Sequence, residues 1–337
     1  MGKIYYVIPD LHKKSFHFRS FIKSVLKGDV IHYFKNNVFR KHKPVGGIKV
    51  MYQHCMLLRE MGYDASPLLM GEYVGNFFGY NINSKHINDV GYELNKGDVI
   101  VSPELFPYLG LKFAGCTRVL FNQSQSWRYY HQRLIEDDIG LNYLQLGYDH
   151  VINCSEHLCK MLKMKMNVDS IPITNGVDAN IFSQDAARRV SGRVLALSRK
   201  HPEQIKKIIK ATKHLNFEFR VVDGLSESEL IKEFQSADIF LATGYPEGLP
   251  LPPLEAMNCG CVVVGFSGGG GDEYMLNNMT ALVAKDGDWE GVVKKLKMIE
   301  KDDDLREKLR ANGINKASTY TLGRTKEMLR KFYDNIL

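Results

Sequence analysis

Glu247 and Glu255 stand eight positions apart in the segment Tyr245-Pro246-Glu247-Gly248-Leu249-Pro250-Leu251-Pro252-Pro253-Leu254-Glu255-Ala256-Met257, which Asn258, Cys259 and Gly260 close. Pro252 and Pro253 suit a helix start, where a missing N–H costs least, and Gly260 suits a left-handed stop. The spacing therefore predicts a short helix from Pro252 to Cys259, with Glu255 on its first turn and Glu247 on the loop before it. The free N–H groups and positive dipole end of such a helix favour an anion, and two carboxylates beside it can accept hydrogen bonds from ligand hydroxyls. A sugar nucleotide has both a phosphate and many hydroxyls.

Positioning these residues takes a frame of alternating strands and helices. Apolar runs predict N-terminal strands at Ile4 to Ile8, Ala65 to Leu69, Val99 to Ser102, Arg118 to Asn122 and Val151 to Cys154, with helices near Gly47 to Glu60 and Ser155 to Lys165. The C-terminal half predicts strands at Val194 to Leu197, Glu218 to Val222, Ile239 to Ala242, Val262 to Val264 and Ala281 to Val283. Helices near Pro202 to His214, Glu227 to Gln235 and Pro252 to Cys259 separate them, and Ser226 with Glu229 reads as a capping box. Such alternation implies parallel sheets with right-handed crossovers. The last forty residues are helix-patterned, and the acidic run Lys301-Asp302-Asp303-Asp304 reads as a loop and N-cap, not as a metal cluster. The polar, aperiodic stretch from Asp178 to Gly192 puts a domain boundary near residue 180.

The Glu247 segment resembles the E-x7-E signature of the family 4 retaining glycosyltransferases. Val45-Gly46-Gly47-Ile48, ahead of the apolar-periodic run Met51, Cys55, Leu58 and Met61, is similar to the family's glycine loop and first helix. Pro172-Ile173-Thr174-Asn175-Gly176-Val177-Asp178 with Phe182 resembles its N-G-V-D-x-x-x-F segment between domains. Leu195-Ala196-Leu197-Ser198-Arg199-Lys200 ends a strand where the family places its diphosphate-binding Arg, and Phe266-Ser267-Gly268-Gly269-Gly270-Gly271-Asp272-Glu273 follows another strand. The resemblance implies an α/β fold of two Rossmann-like domains, the GT-B architecture, facing across a cleft, with the C-terminal helix crossing back to the N-terminal domain. Residues 1–180 would bind the acceptor, 181–320 the nucleotide sugar, and 321–337 would form the returning helix.

Carried over residue by residue, the resemblance implies catalytic roles for Glu247 and Arg199. Glu247 would lie near the anomeric carbon, where a carboxylate holds hydroxyls and stabilises oxocarbenium charge. Arg199, helped by Lys200, would neutralise the departing diphosphate. Donor binding would fall to Gly46, Gly47, Arg199, Lys200, Gly248, Leu249, Leu251 and Glu255, the last through the ribose hydroxyls. Glu104 ends a strand on the cleft side, and Gln123 stands where many members have a His; both are candidates to touch acceptor or sugar. The bland alternatives are a loop-stabilising acid at Glu247, a helix-end charge at Glu255, and glycines that serve as turns. One departure matters: Pro250 replaces the family's second Gly and removes an N–H from the donor loop.

Composition fits this reading. The chain has 337 residues, 44% apolar and 25% charged, which is enough for two cores. The first apolar run, Ile4 to Ile8, is too short for a signal core, and no later run approaches a membrane span. The six cysteines form no zinc or disulfide framework, so buried free thiols and a cytoplasmic location are expected. Residues 1–80 hold twelve bases against five acids, which accounts for the whole formal charge of +7. Interleaved with Phe16, Phe18, Phe21, Tyr33, Phe34 and Phe39, these bases suit an anionic membrane surface, or equally a solvated helix face. No nucleic-acid motif accompanies them, so no nucleic-acid partner is expected.

The function implied is retaining, metal-independent transfer of a sugar from a nucleotide-diphosphate donor to a glycan or lipid-linked acceptor, in cell-envelope or surface polysaccharide synthesis. The donor is a substrate and no cofactor is expected; the protein would sit in the cytoplasm or at the inner face of the membrane. The alternative is a noncatalytic sugar-nucleotide-binding or membrane-associated subunit on the same fold.

Overall fold

The computed structural model describes residues 2–9, 21–22, 25, 46–71, 82–125 and 141–337. Strands β1 (Lys3–Ile8), β2 (Asp64–Leu69), β3 (Lys85–His86), β4 (Val99–Pro103), β5 (Thr117–Asn122), β6 (His150–Asn153) and β7 (Ile171–Pro172) make one sheet, ordered β3-β2-β1-β4-β5-β6-β7. Strands β8 (Arg193–Leu197), β9 (Glu218–Val222), β10 (Ile239–Ala242), β11 (Val262–Phe266) and β12 (Leu282–Ala284) make a second, ordered β12-β11-β10-β8-β9. All pairings in the second sheet are parallel, as are β1–β2, β2–β3, β5–β6 and β6–β7 in the first. The mixed α/β class and parallel sheets are as the alternation predicts.

The chain divides into two compact units, Met1–Ile100 with Lys112–Cys116, and Val101–Leu111 with Thr117–Leu337. In the first, α1 (Gly46–Glu60) buries Ile48, Met51, Tyr52, Cys55 and Leu58 at helical spacing. The helix starts at Gly46, one residue before the predicted start at Gly47, so the first of the two glycines is also helical. The same unit holds α2 (Ile87–Val90). Lys13, Lys14, Arg40 and Lys41, which carry much of the basic N-terminal character, lie outside the described residues.

The second unit holds α3 (Pro107–Gly110), α4 (Glu156–Met166), α5 (Pro202–Ala211), α6 (Glu227–Ser236), α7 (Leu251–Asn258), α8 (Trp289–Glu300), α9 (Asp303–Ala317) and α10 (Leu322–Ile336). Its central strands read as continuous apolar runs because helices cover both faces: Val194, Leu195 and Ala196 are wholly buried, as are Val262, Val263 and Val264. From α8, Val292, Val293, Leu296 and Ile299 enter the same core. The capping box at Ser226 is present in full, Asp302 caps α9 within the acidic run read as a loop and N-cap, and Thr321 caps α10. Helix α10 returns to the first sheet. Its Thr325 Oγ1 donates to the Thr174 carbonyl at 2.7 Å, and Phe332 meets His150 of β6 edge-on at 5.8 Å.

Candidate functional site

The site is built at the C-terminal ends of β8, β10 and β11, where parallel sheets leave their connecting loops free for ligands. After β10, residues 243–250 form a loop that ends in α7; the helix spans Leu251–Asn258, one residue earlier at each end than predicted. Glu247 sits on this loop, and two backbone hydrogen bonds hold it. Its N–H donates to the Gly268 carbonyl at 2.8 Å and its carbonyl accepts from Gly270 N–H at 3.3 Å, which together make its parallel bridge to Gly269. The glycine run after β11 thus serves the donor loop first: a side chain on Gly270 would collide with the Gly248 carbonyl, so the two loops meet only because this position carries none.

The carboxylate of Glu247 is paired. Lys200 Nζ lies 2.7 Å from Glu247 Oε1 and donates to the Pro246 carbonyl at 3.3 Å. Lys200 was read as a helper to Arg199; here its partner is the candidate catalytic acid. Arg199, next to it at the end of β8, is exposed. His201 follows with a left-handed φ of 50°, stacks on Tyr245 with ring centroids 4.0 Å apart, and approaches the Tyr245 carbonyl through Nε2 at 2.8 Å. Gln204 donates to the Tyr245 hydroxyl at 3.1 Å, so the segment after β8 and the loop after β10 are tied through both the backbone and the side chain of Tyr245.

Helix α7 is a poorer anion site than its position suggests. Of its first four residues, Pro252 and Pro253 have no N–H, so only Leu251 and Leu254 can donate. An anion at this helix end would need cationic side chains for more of its contact. Glu255 is buried on this helix, one turn past its start; its charge, with burial as the larger cause, pushes the Cys259 thiol up to about 12. Leu249 is buried and Leu251 half-buried.

Glu104 follows β4 and is buried. Ser124 Oγ donates to its Oε1 at 2.6 Å, and backbone N–H groups near Gln123 and Ser124 also reach it. No cation pairs with it among the described residues, and desolvation raises its pKa to about 7. Gln123 presents its backbone here: its carbonyl accepts from Cys154 Sγ at 3.5 Å and abuts Gly248, where a side chain would clash. Gly46 and Gly47 belong to the first compact unit; Gly46 is exposed, with open space where a side chain would be.

Sequence reading missed the residues that reach the donor loop from the end of β5 and the start of α4. Ser155 donates to the Gly248 carbonyl at 2.8 Å while capping α4, and Gln125 Nε2 lies 3.4 Å from the Glu247 carbonyl and 3.2 Å from His157 Nε2. Glu273 accepts from the His157 N–H at 2.8 Å. Ser155 was legible as a helix cap; nothing local in sequence shows a contact 93 residues away.

The match to known proteins falls on this part of the chain. Residues 184–316 match the family model described as Glycosyl transferases group 1. These residues form a glycosyl transferases group 1 domain. An alpha-1,6-glucosyltransferase of Actinobacillus pleuropneumoniae serotype 7 is 26% identical over 66% of this chain and 69% of its own. The N,N'-diacetylbacillosaminyl-diphospho-undecaprenol alpha-1,3-N-acetylgalactosaminyltransferase of Campylobacter jejuni is 29% identical over 33% of this chain and 30% of its own. Anabaena HepE, solved in complex with UDP and glucose, superposes with a TM-score of 0.73 over 99% of this chain and 100% of that one, at 13% identity. The chain has the GT-B fold, as its resemblance to that class implies, and residues 184–316 carry the match to the glycosyltransferase family model. Among the described residues, no helix is long and apolar enough to cross a membrane.

Proposed function

We propose that the protein transfers a sugar from a nucleotide-diphosphate donor to a glycan or lipid-linked acceptor, with retention of anomeric configuration and without a metal ion. The observation that carries this reading is the Lys200–Glu247 pair at 2.7 Å beside exposed Arg199, three charges gathered at the ends of β8 and β10. When a donor binds, Arg199 and Lys200 face its diphosphate and Glu247 faces its sugar. As the bond from the anomeric carbon to the diphosphate oxygen breaks, positive charge grows on the sugar ring and negative charge on the leaving group. Glu247 stabilises the first and the two cations the second. The acceptor hydroxyl attacks from the face the diphosphate leaves, a diphosphate oxygen takes its proton, and configuration is kept. Two side-chain cations do the work a divalent metal does in other transferases.

The acceptor class is supported by the relatives' names, one a glucosyltransferase and one acting on a diphospho-undecaprenol sugar, and the donor class by a structural neighbour holding UDP and glucose. The basic, aromatic-rich first 80 residues would meet an anionic membrane, so binding to acidic vesicles should fall as salt rises. A screen of sugar nucleotides for hydrolysis and transfer, followed by NMR of the product linkage, tests the whole reading. Retention with full activity in EDTA is expected. An inverted linkage, or activity lost in EDTA and restored by manganese, overturns it.

A further inference from the structure

The backbone around Glu247 is fixed one peptide plane at a time. The plane before it is set by its N–H donating to the Gly268 carbonyl at 2.8 Å. The plane after it is set through its own carbonyl, which Gly270 N–H reaches at 3.3 Å and Gln125 Nε2 at 3.4 Å. The next plane is set by Ser155 Oγ, 2.8 Å from the Gly248 carbonyl. Gln125 and Ser155 come from the ends of the first sheet's elements and are both buried. They add no charge and little apolar surface, so what they contribute is direction.

We propose that Gln125 and Ser155 are positioning residues, which hold the two peptide planes after Glu247 and thereby aim its carboxylate at the reacting sugar. The proposal rests on the reading of Glu247 given above. Local detail supports it. At Gly269 a side chain would come within 2.9 Å of Gln125 Nε2 and 2.8 Å of His157 Nε2, so the glycine is what lets the amide through to the donor loop. The two N–H groups of the amide have two acceptors, the Glu247 carbonyl and His157 Nε2. That arrangement fixes which way the amide points. Ser155 is likewise used twice, accepting from Leu158 N–H as the α4 cap and donating to Gly248. A catalytic group must be held within about 0.5 Å of its working place, and loops achieve this only with such support.

The test uses Gln125→Met, which keeps the length and removes both N–H groups, and Ser155→Gly, which removes the Gly248 bond at only a few tenths of a kcal/mol in helix capping. Turnover is measured with the sugar nucleotide the screen identifies, UDP affinity by calorimetry, and folding by melting temperature. We expect kcat to fall about tenfold to a hundredfold in each variant, the size of a misplaced reacting group, with the Kd for UDP unchanged within about twofold. In a Glu247→Gln background the same changes should lower kcat no further, because there is no carboxylate left to aim. Equal losses in both backgrounds, or UDP affinity falling in step with kcat, make these residues merely structural and overturn the proposal. If Glu247→Gln is impaired while Gln125→Met and Ser155→Gly are not, the proposal fails alone. If Glu247→Gln turns over at the wild-type rate, the reading beneath it fails and takes the proposal with it.

Discussion

Strand β10 has a charge cluster at each end, Asp238 before it and the Glu247 loop after it. Asp238 accepts from the Gly192 N–H at 2.9 Å and from Arg306 and Arg310 at 3.0 and 2.6 Å, and these side chains are only 3%, 11% and 6% exposed. At the other end, Lys200 and Glu247 are 38% and 27% exposed and Arg199 stands open to solvent. Asp238 is fully used by the fold. The charges around Glu247 are held loosely enough for a ligand to exchange partners with them. In one strand the difference separates charge that specifies structure from charge left open to a ligand, and it sits where parallel sheets place their sites, at the C-terminal edge.

The largest effect should come from breaking the buried end. Removing one partner of a buried pair strands the other charges, so Asp238→Ala should cost about 3–5 kcal/mol in denaturant melts while leaving turnover per folded molecule unchanged. Burial pushes this carboxyl up, but the Gly192 N–H and the two guanidiniums more than offset that and hold it below the usual range. Its contribution is therefore present above the ordinary aspartate pKa and lost as pH falls through the lower folded value. The opposite end should respond in the opposite way. Glu247→Gln should lower kcat about 10²–10³-fold, roughly 2.7–4 kcal/mol of barrier, with the melting temperature and UDP affinity nearly intact.

Glu104 sharpens the contrast, being as buried as Asp238 but with a hydroxyl and backbone N–H groups where Asp238 has arginines. Its pKa of about 7 lies above the ordinary 4.5, so the folded state holds a proton that the unfolded state has released. Stability from this group is complete below the unfolded value and is lost as pH rises through about 7, by up to roughly 3 kcal/mol. Melts of Glu104→Gln should stay level across that window while wild type declines. Parallel curves would mean that Glu104 keeps its charge at no cost.

Much of this was legible because it is local. Strands β9 and β10 match the sequence reading end to end, β10 as a continuous apolar run and β9 with Glu218 and Arg220 alternating with Phe219 and Val221, and the Ser226 box fixes its helix start from four residues. Helix α8 was missed although Val292, Val293, Leu296 and Ile299 carry its spacing. β3 and β7, two residues each, are too short to show a period and exist only because a neighbouring strand pairs with them. At the candidate site, Glu247, Glu255 and the Arg199 turn were singled out from spacing and resemblance, whereas the Lys200–Glu247 pair joins residues 47 apart and the Gln125 contact residues 122 apart. Sequence spacing shows what one element presents; it is silent on what a distant loop lays against it.

Two smaller effects test whether the exposed charges are free to change partners. Arg199→Ala should weaken UDP about tenfold and leave uridine alone, because its guanidinium has only phosphate to meet; equal losses for both ligands would refute the diphosphate role. Lys200→Met should matter least to the fold. Its pair with Glu247 is half-exposed, a class of ion pair contributing about 0–1 kcal/mol, so melting should barely move. Its effect on UDP should also be smaller than that of Arg199, because Lys200 must first give up Glu247, and that exchange offsets part of the new phosphate contact. Raising salt should narrow the gap between wild type and the variant, since screening weakens the phosphate contact they differ by. If Lys200→Met instead destabilises the protein as Asp238→Ala does, the pair belongs with the buried cluster and the two ends of β10 are alike after all.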